Sequence, residues 1–195
     1  MKLPIIAYGD PVLRKVGENI TPDYPNLSQL IEDMRETMYY ARGVGLAAHQ
    51  IGKAIRLFLV DTAPFADDDE LDQKERDFLE NFNRVFINAE IIEESGEEWA
   101  FNEGCLSFPD VRQDVFRKDT IIIKYQNENF EEITETLTGL AARVVQHEYD
   151  HIEGIVFTDR ISSLKKRLLK KRLNNISKGN IDVDYKMRFP NQKRK

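Results

Sequence analysis

The stretch QHEYDH, residues 146–151, places two histidines four positions apart inside GLAARVVQHEYDHIEG, residues 139–154, which is predicted to be helical. Because a helix turns once in about 3.6 residues, His147 and His151 project from the same face. Two imidazoles one turn apart can bind a single metal ion. The same face is apolar, so both histidines are expected to point inward. Its apolar positions are Leu137, Leu140, Ala141 and Val144.

The residues next to the two histidines indicate a catalytic metal site. Glu148 directly follows His147 and can act as a general base beside the metal. A catalytic site usually has three protein ligands and one open position. After His151 the chain contains neither histidine nor cysteine, and Glu153 falls on the wrong side of the helix. The third ligand is therefore sought upstream.

Cys105 is the strongest upstream candidate for the third ligand, with scattered aspartates as weaker ones. It is the single cysteine of the chain and lies in EGCLSF, residues 103–108, while His49 is the only other histidine. Taken alone, Cys105 would be interpreted as a small buried hydrophobic residue. One thiolate with two imidazoles suits Zn, Fe(II), Co or Ni, so the histidines change that interpretation.

The composition is that of an ordinary soluble protein with one core. The chain has 195 residues, of which 41% are hydrophobic and 32% charged, and this length can bury a substantial core. The first residues, MKLPIIAYGDPVLRK, contain too short an apolar run for a signal peptide, and no stretch is long enough for a membrane span. A lone cysteine fits a reducing compartment. We therefore expect a cytoplasmic protein, independent of membranes and monomeric.

The net charge of −6 is distributed unevenly along the chain. From Asp159 onward there are 13 Lys or Arg against three Asp, so the C-terminal part is basic and the rest is acidic. A predicted amphipathic helix at 159–174 carries much of the positive charge. Such a helix is either a solvated surface or a contact for an anionic partner. Its predicted apolar positions are Ile161, Leu164, Leu168, Leu169 and Leu173.

Hydrophobic periodicity predicts strands in the middle of the chain, with helices before and after them. The acidic residues 62–82 are predicted to form a surface loop or insertion. The order of elements indicates an α+β fold, with mixed, largely antiparallel sheets around the central HExxH helix and a C-terminal helix. The predicted elements before that central helix are a helix at 26–42, a buried strand at 55–61, and strand-like runs at 84–92, 97–101 and 120–126.

Three motifs resemble the signature motifs of one enzyme family. GVGLAAHQ, EGCLS and QHEYDH occur in this order at 43–50, 103–107 and 146–151, and YGDPVLR at 8–14 adds to the likeness. Together they resemble peptide deformylase over roughly residues 5 to 175. The basic helix resembles the C-terminal end of the bacterial type.

This resemblance implies a metal-dependent hydrolase that removes the formyl group from the N-terminal formylmethionine of new polypeptides and releases formate. The metal would be one divalent ion, expected to be Fe(II) in cells, with Zn, Ni or Co as alternatives. The implied site residues are Cys105, His147 and His151 as ligands, Glu148 as general base, and Gln50 and the Leu106 N–H as donors to the developing negative charge.

The resemblance also implies a substrate site and a partner. Gly45 lies in a segment that would pair with the extended substrate peptide. Glu103 and Arg112 would form a supporting ion pair. The basic C-terminal helix would contact phosphates of ribosomal RNA, with a strong salt dependence. The pocket for the methionine side chain would be formed by Val44, Phe101, Leu140 and Val144.

The resemblance divides the chain into one catalytic domain, 1–175, and an irregular basic tail, 176–195. Two features depart from the family pattern and leave the substrate preference open: the long acidic stretch, and Ala89 where a proline is common. Other interpretations are weaker. An HExxH metalloprotease needs a downstream ligand, a closed structural site needs a fourth ligand such as His49, and Glu148 and Gln50 argue against an inactive relative.

Overall fold

The computed structural model describes residues 1–191 and has an α+β architecture. Its helices are α1 Leu27–Tyr40, α2 Gln73–Glu80, α3 Gly139–Ile152 and α4 Ser163–Ser177. Its strands are β1 Ile5–Ile6, β2 Gly45–Ala47, β3 Leu57–Asp61, β4 Asn83–Gly104, β5 Arg112–Gln126, β6 Glu132–Thr138 and β7 Met187–Arg188. Strands β2 to β6 form an antiparallel sheet in chain order, and β1 pairs with β7 in parallel. The predicted fold class is confirmed.

The β4–β5 hairpin carries the first half of the site. The predicted runs at 84–92 and 97–101 belong to one strand, because β4 passes through three register shifts without losing its pairing with β5. Irregularities of this kind bend a strand and increase its local twist. Since β4 ends at Gly104, Cys105 is the first residue after the strand.

Helix α3 packs across the sheet and carries the second half of the site. Its apolar residues Ala141, Val145 and Ile152 are fully buried in one core with Phe58 and Phe86. The rings of Phe58 and Phe86 stack with centroids 4.6 Å apart. Because each buried apolar side chain contributes about 1.5–3 kcal/mol, this shared core fixes the position of α3 against the strands.

Residues 62–82 do not form the loop that their acidity predicts. They contain a short 3-10 helix, Ala63–Phe65, followed by α2, whose first turn is capped by the Asp72 side chain. Leu79 and Phe82 are buried in the same core as α3. Acidic residues dominate the composition of this segment, but the burial of these two apolar side chains holds it against the core.

Helix α4 differs from the predicted helix at 159–174 in its bounds and in its burial. It ends at Ser177, so the predicted domain boundary at residue 175 falls inside it. Leu173 is buried, whereas Leu164 and Leu168 are 66% and 76% exposed and do not face the core as predicted. The reason is that α4 packs on the body through Leu169, Leu173 and Ile176, whereas its first turns extend into solvent.

The chain after α4 is partly ordered into a strand, in contrast to the predicted irregular tail. Strand β7 pairs with β1, and the Ile5 N–H donates to the Lys186 carbonyl at 2.8 Å. The last part of the predicted tail, residues 192–195, lies outside the described residues. Within 1–191, no helix combines the length and hydropathy needed to cross a membrane.

Candidate metal centre and catalytic cleft

Cys105, His147 and His151 come together where the end of β4 meets the inner face of α3. One potential ligand atom from each of the three lies within 4.8 Å of the others. The Cys105 Sγ is 3.3 Å from His151 Nε2, and the two imidazole rings are 5.3 Å apart. A thiolate and two imidazoles so close together fit a divalent transition metal.

The surroundings of the two histidines prepare both rings for metal binding. His151 is buried, and burial lowers its pKa well below the usual range, so its ring is neutral. His147 Nδ1 lies 2.8 Å from Glu103 Oε2, and a hydrogen bond from Nδ1–H leaves Nε2 available for a metal. Burial alone would raise the pKa of Glu103, but hydrogen bonds from His147 and Arg117 outweigh it and lower the pKa.

Glu103 belongs to a buried ion-pair network, but its partner is not Arg112 as predicted. Arg117 donates to both Glu103 oxygens, at 2.7 and 3.0 Å, and Arg143 Nη1 donates to Glu103 at 3.0 Å. Arg112 instead donates from Nε to Asn102 Oδ1 at 3.0 Å.

Strand register explains this correction. Side chains alternate between the two faces of a strand. Glu103 is paired with Gln113, so Arg117, four residues further along β5, lies on the same face as Glu103. Arg112 is paired with Gly104 and therefore lies on the opposite face.

Glu148 lies beside the three potential ligands, with its side chain buried in the protein. Burial raises its pKa to about 7, which suits a group that must accept and then release a proton. Gly45 leaves the space that this carboxylate occupies, because a Cβ atom at position 45 would lie 2.8 Å from the Glu148 carboxyl carbon. Gly45 thus has a steric reason to be glycine.

Gln50 and Leu106 lie next to the same group. The buried Gln50 side chain accepts a hydrogen bond from the Ala47 N–H at its Oε1, 2.8 Å away, and its Nε2 is 3.4 Å from Cys105 Sγ. The first contact orients the amide so that its NH₂ group faces the site. Leu106 follows Cys105 in the chain and lines the adjoining cavity.

His49, the remaining histidine, lies outside the group of potential ligands. Its Nε2 is 3.0 Å from the Lys15 carbonyl oxygen, which is the contact expected of a neutral donor ring. Burial lowers the pKa of His49 to about 4. This contact ties the 3-10 helix Ala48–Ile51 to the N-terminal part of the chain.

A cavity of about 680 Å³ opens beside the potential ligands. Val44, Gly45, Phe101 and Val144 line it, whereas Leu140, which was predicted with them, does not. Leu140 lies one turn before Val144, in the first turn of α3, and is partly buried against the sheet core. Leu140 and Val144 share a face of α3, but Leu140 lies too near the start of the helix to reach the cavity.

The cavity also has lining residues that were not found from the sequence, among them Phe65, Arg143 and Tyr185. Phe65 comes from the acidic segment and packs edge-on against Phe101, with ring centroids 6.2 Å apart. Only Arg143 had a local signal. It lies four residues before His147 and therefore on the buried face of α3, where a charged residue needs partners.

The HExxH helix, the cysteine that follows the end of β4 and the buried Glu148 beside a cavity together define the class of metallohydrolases. Comparisons with known proteins identify the family within this class. The family described as Polypeptide deformylase matches residues 2–167.

The similarity to individual deformylases extends over the whole chain. The curated peptide deformylase of Christiangramia forsetii is 64% identical over 194 residues, which cover 100% of this chain and 99% of that protein. That of Flavobacterium johnsoniae is 61% identical over 189 residues, or 97% and 96% of the two chains.

Solved structures show the same relationship. The peptide deformylase of Thermotoga maritima is 41% identical with a TM-score of 0.72, covering 83% of this chain and 99% of its own. That of Legionella pneumophila is 33% identical with a TM-score of 0.76, covering 92% and 98%. The chain belongs to the peptide deformylase family. It is a hydrolase that removes the N-terminal formyl group from newly made polypeptides, and the interpretations as a metalloprotease and as a closed structural metal site are set aside.

Proposed function

We propose that deformylation takes place at the group formed by Cys105, His147, His151 and Glu148. The observation that carries this proposal is the position of Glu148, a buried carboxylate with a pKa of about 7 beside three converging metal donors. A divalent ion held by the thiolate and the two imidazoles would act as a Lewis acid and lower the pKa of water. Glu148 takes a proton from the attacking water and passes it to the leaving amine.

Gln50 and Leu106 are proposed to stabilise the negative charge that develops on the formyl oxygen. The Gln50 amide is held by the Ala47 N–H with its NH₂ group toward the site, and the Leu106 N–H would be the second donor. Donors fixed before the reaction need no reorganisation during it. Loss of one such donor typically lowers the rate by about 10²–10³-fold.

The substrate is proposed to bind along β2 and to place its methionine side chain in the cavity. The order of strands puts β2 at one edge of the sheet, where an extended peptide can add as a further strand. Gly45 begins this edge strand. Val44, Phe101 and Val144 supply apolar surface to the cavity beside it.

The metal is proposed to be Fe(II) in cells, with Zn, Ni or Co able to take its place. The donor set of one sulfur and two nitrogens suits all four ions. Cys105 is partly exposed, so its thiolate would be open to oxidation by oxygen or peroxide. We therefore expect activity to fall on exposure to air when the metal is Fe(II).

The experiment that tests this site compares the wild type with Glu148→Ala and Glu153→Ala after anaerobic purification. Metal content and formate release from a formyl-Met tripeptide are measured for each. We expect Glu148→Ala to keep its metal and to lose about 10²–10⁴-fold in turnover. Glu153→Ala removes the same charge at the end of the same helix and should stay close to wild type. A wild type that binds metal but never releases formate would contradict the proposal.

The basic face of α4 is proposed to contact ribosomal RNA, so that a monomeric, cytoplasmic enzyme meets nascent chains at the ribosome. Several of its basic side chains are exposed, and phosphate contacts would weaken as salt rises. Arg172 contributes less than the sequence predicted, because it pairs with Asp110 at 2.8 Å. The basic residues of the predicted contact are Lys165, Lys166, Arg167, Lys170, Lys171 and Arg172.

Charge reversal on α4 tests this contact in the intact protein. The triple variant Arg167→Glu, Lys170→Glu, Lys171→Glu should co-sediment with ribosomes more weakly and with a shallower salt dependence. The variant Lys53→Glu, Lys74→Glu changes exposed lysines outside α4 and should bind as the wild type does. Equal binding by all three proteins would refute the contact.

A further inference from the structure

The residues after α4 form part of the cavity beside the catalytic group. Asp182, Val183, Asp184 and Tyr185 all line it. Their path is fixed on the C-terminal side by the pairing of β7 with β1. On the α1 side, the Tyr40 hydroxyl donates to the Asp184 carbonyl oxygen at 3.2 Å. This C-terminal segment, residues 182–185, is therefore held at the mouth of the site.

One contact links the C-terminal segment to a residue of the proposed site. The Tyr185 hydroxyl donates a hydrogen bond of 2.7 Å to the carbonyl oxygen of Leu106. Leu106 and Ser107 are the central residues of a tight turn, which the Phe108 N–H closes by donating to the Cys105 carbonyl at 2.8 Å. The Leu106 carbonyl thus belongs to the central peptide unit of the turn that follows Cys105.

The central peptide unit of a β-turn is its least constrained part. Turns of types I and II differ mainly in the orientation of this unit, and both keep the same closing hydrogen bond. A donor on the central carbonyl therefore selects one orientation. Types I and II share the φ angle of the first central residue, so the choice of turn type alone does not move the Leu106 N–H. The hydrogen bond from Tyr185 acts on this N–H, the proposed donor to the formyl oxygen, because it anchors the Leu106 backbone to the C-terminal segment.

We propose that Tyr185 is a positioning residue that anchors the Cys105–Phe108 turn to the C-terminal segment, so that the Leu106 N–H stays directed at the substrate. This inference rests on the role proposed above for Leu106. The C-terminal segment adds to a site whose proposed reacting groups come from the three motifs. A misplacement of a donor by a fraction of an ångström lowers turnover more than binding.

The test is Tyr185→Phe, which removes only the hydroxyl, compared with Tyr24→Phe as the matched control. Tyr24 packs, partly buried, against the same core as Tyr185 and does not line the cavity. For Tyr185→Phe we expect kcat to fall about 3- to 10-fold, the size of effect of one hydrogen bond. KM, metal content and affinity for the deformylated Met peptide should stay within about 2-fold, and Tyr24→Phe should match the wild type.

Two results would overturn the inference. Unchanged kcat with a lowered melting temperature would mean that the hydroxyl serves stability only. A rise in KM with constant kcat would mean that Tyr185 contacts the bound peptide and does not position Leu106. Because wild-type formate release is measured in the same assay, failure of the proposed function itself would be recognised separately as absence of wild-type turnover.

Discussion

The two sides of the cavity are built differently. The inner side consists of β2, α3 and the turn after β4, and it holds the groups that are proposed to react. The outer side consists of Phe65 and the C-terminal segment. Each group that is proposed to react lies in a short motif, whereas Phe65 and Tyr185 lie in stretches without one. Reactive groups need fixed spacing and therefore leave a local pattern, whereas a surface that only bounds the substrate can come from any part of the chain.

On the inner side, the largest expected change in kcat comes from replacing Gln50. Gln50→Ala should lower kcat by about 10²–10³-fold, because the variant lacks the amide donor to the formyl oxygen. Steady-state kinetics on a formyl-Met tripeptide would measure the effect. The control is Gln29→Ala, an exposed change on α1. A loss below about 10-fold would show that the inner side does not depend on this donor.

The next largest expected effect is on protein stability and concerns Arg143, which lies on the inner side but outside every motif. Its guanidinium donates to Glu103 and to the carbonyl oxygens of Val115 and Trp99 at 2.7–3.1 Å. Arg143→Met should lower the free energy of unfolding by about 3 kcal/mol, because it leaves buried acceptors without a donor. Urea unfolding would measure the change, and Arg167→Met on the exposed face of α4 should be neutral. An unchanged free energy of unfolding for Arg143→Met would contradict a stabilising role of these hydrogen bonds.

His49 lies within a motif yet does not line the cavity. Its expected contribution to the free energy of unfolding depends on pH. Its pKa is about 4 in the folded protein because of burial, against about 6.5 in an unfolded chain. Above pH 6.5 both states are neutral. Between pH 6.5 and 4 the unfolded chain binds a proton that the folded protein excludes, so stability falls as pH falls, by up to about 3 kcal/mol.

Urea unfolding of the wild type and of His49→Gln across this pH range would isolate the contribution of His49. The difference between the two proteins should change steadily from pH 6.5 to 4 and be constant above pH 7. A difference that does not vary with pH would mean that His49 is not buried as a neutral ring.

The smallest expected effect is a change in KM caused by replacing Phe65, on the outer side. Sulfur in a substrate methionine can contact the edge of an aromatic ring, worth up to about 1.5 kcal/mol. Phe65→Ala should raise KM for a formyl-Met peptide about 3- to 5-fold and reduce its advantage over formyl-norleucine. Phe78→Ala changes a phenylalanine in the same acidic segment that does not line the cavity, and it should have no effect. Equal behaviour of the two variants would remove Phe65 from the pocket.

The fold class was predictable from the order of helices and strands. The convergence of His147 and His151 was predictable because helical periodicity places them on one face. The prediction of a surface loop or insertion at 62–82 missed helix α2, which the buried side chains of Leu79 and Phe82 hold against the core. The expected partner of Glu103 was wrong because strand register, which separates Arg112 from Arg117, is not visible in local sequence. Contacts such as Tyr185 with Leu106 join residues 79 positions apart, and no local pattern marks them.

The most direct test of the account is anomalous diffraction at the iron edge from crystals of anaerobically purified protein. The account predicts one peak, within bonding distance of Cys105 Sγ and of one nitrogen each of His147 and His151. A peak at His49 or elsewhere, or a metal bound by the histidines without Cys105, would contradict the claim that the two halves of the site form one metal centre.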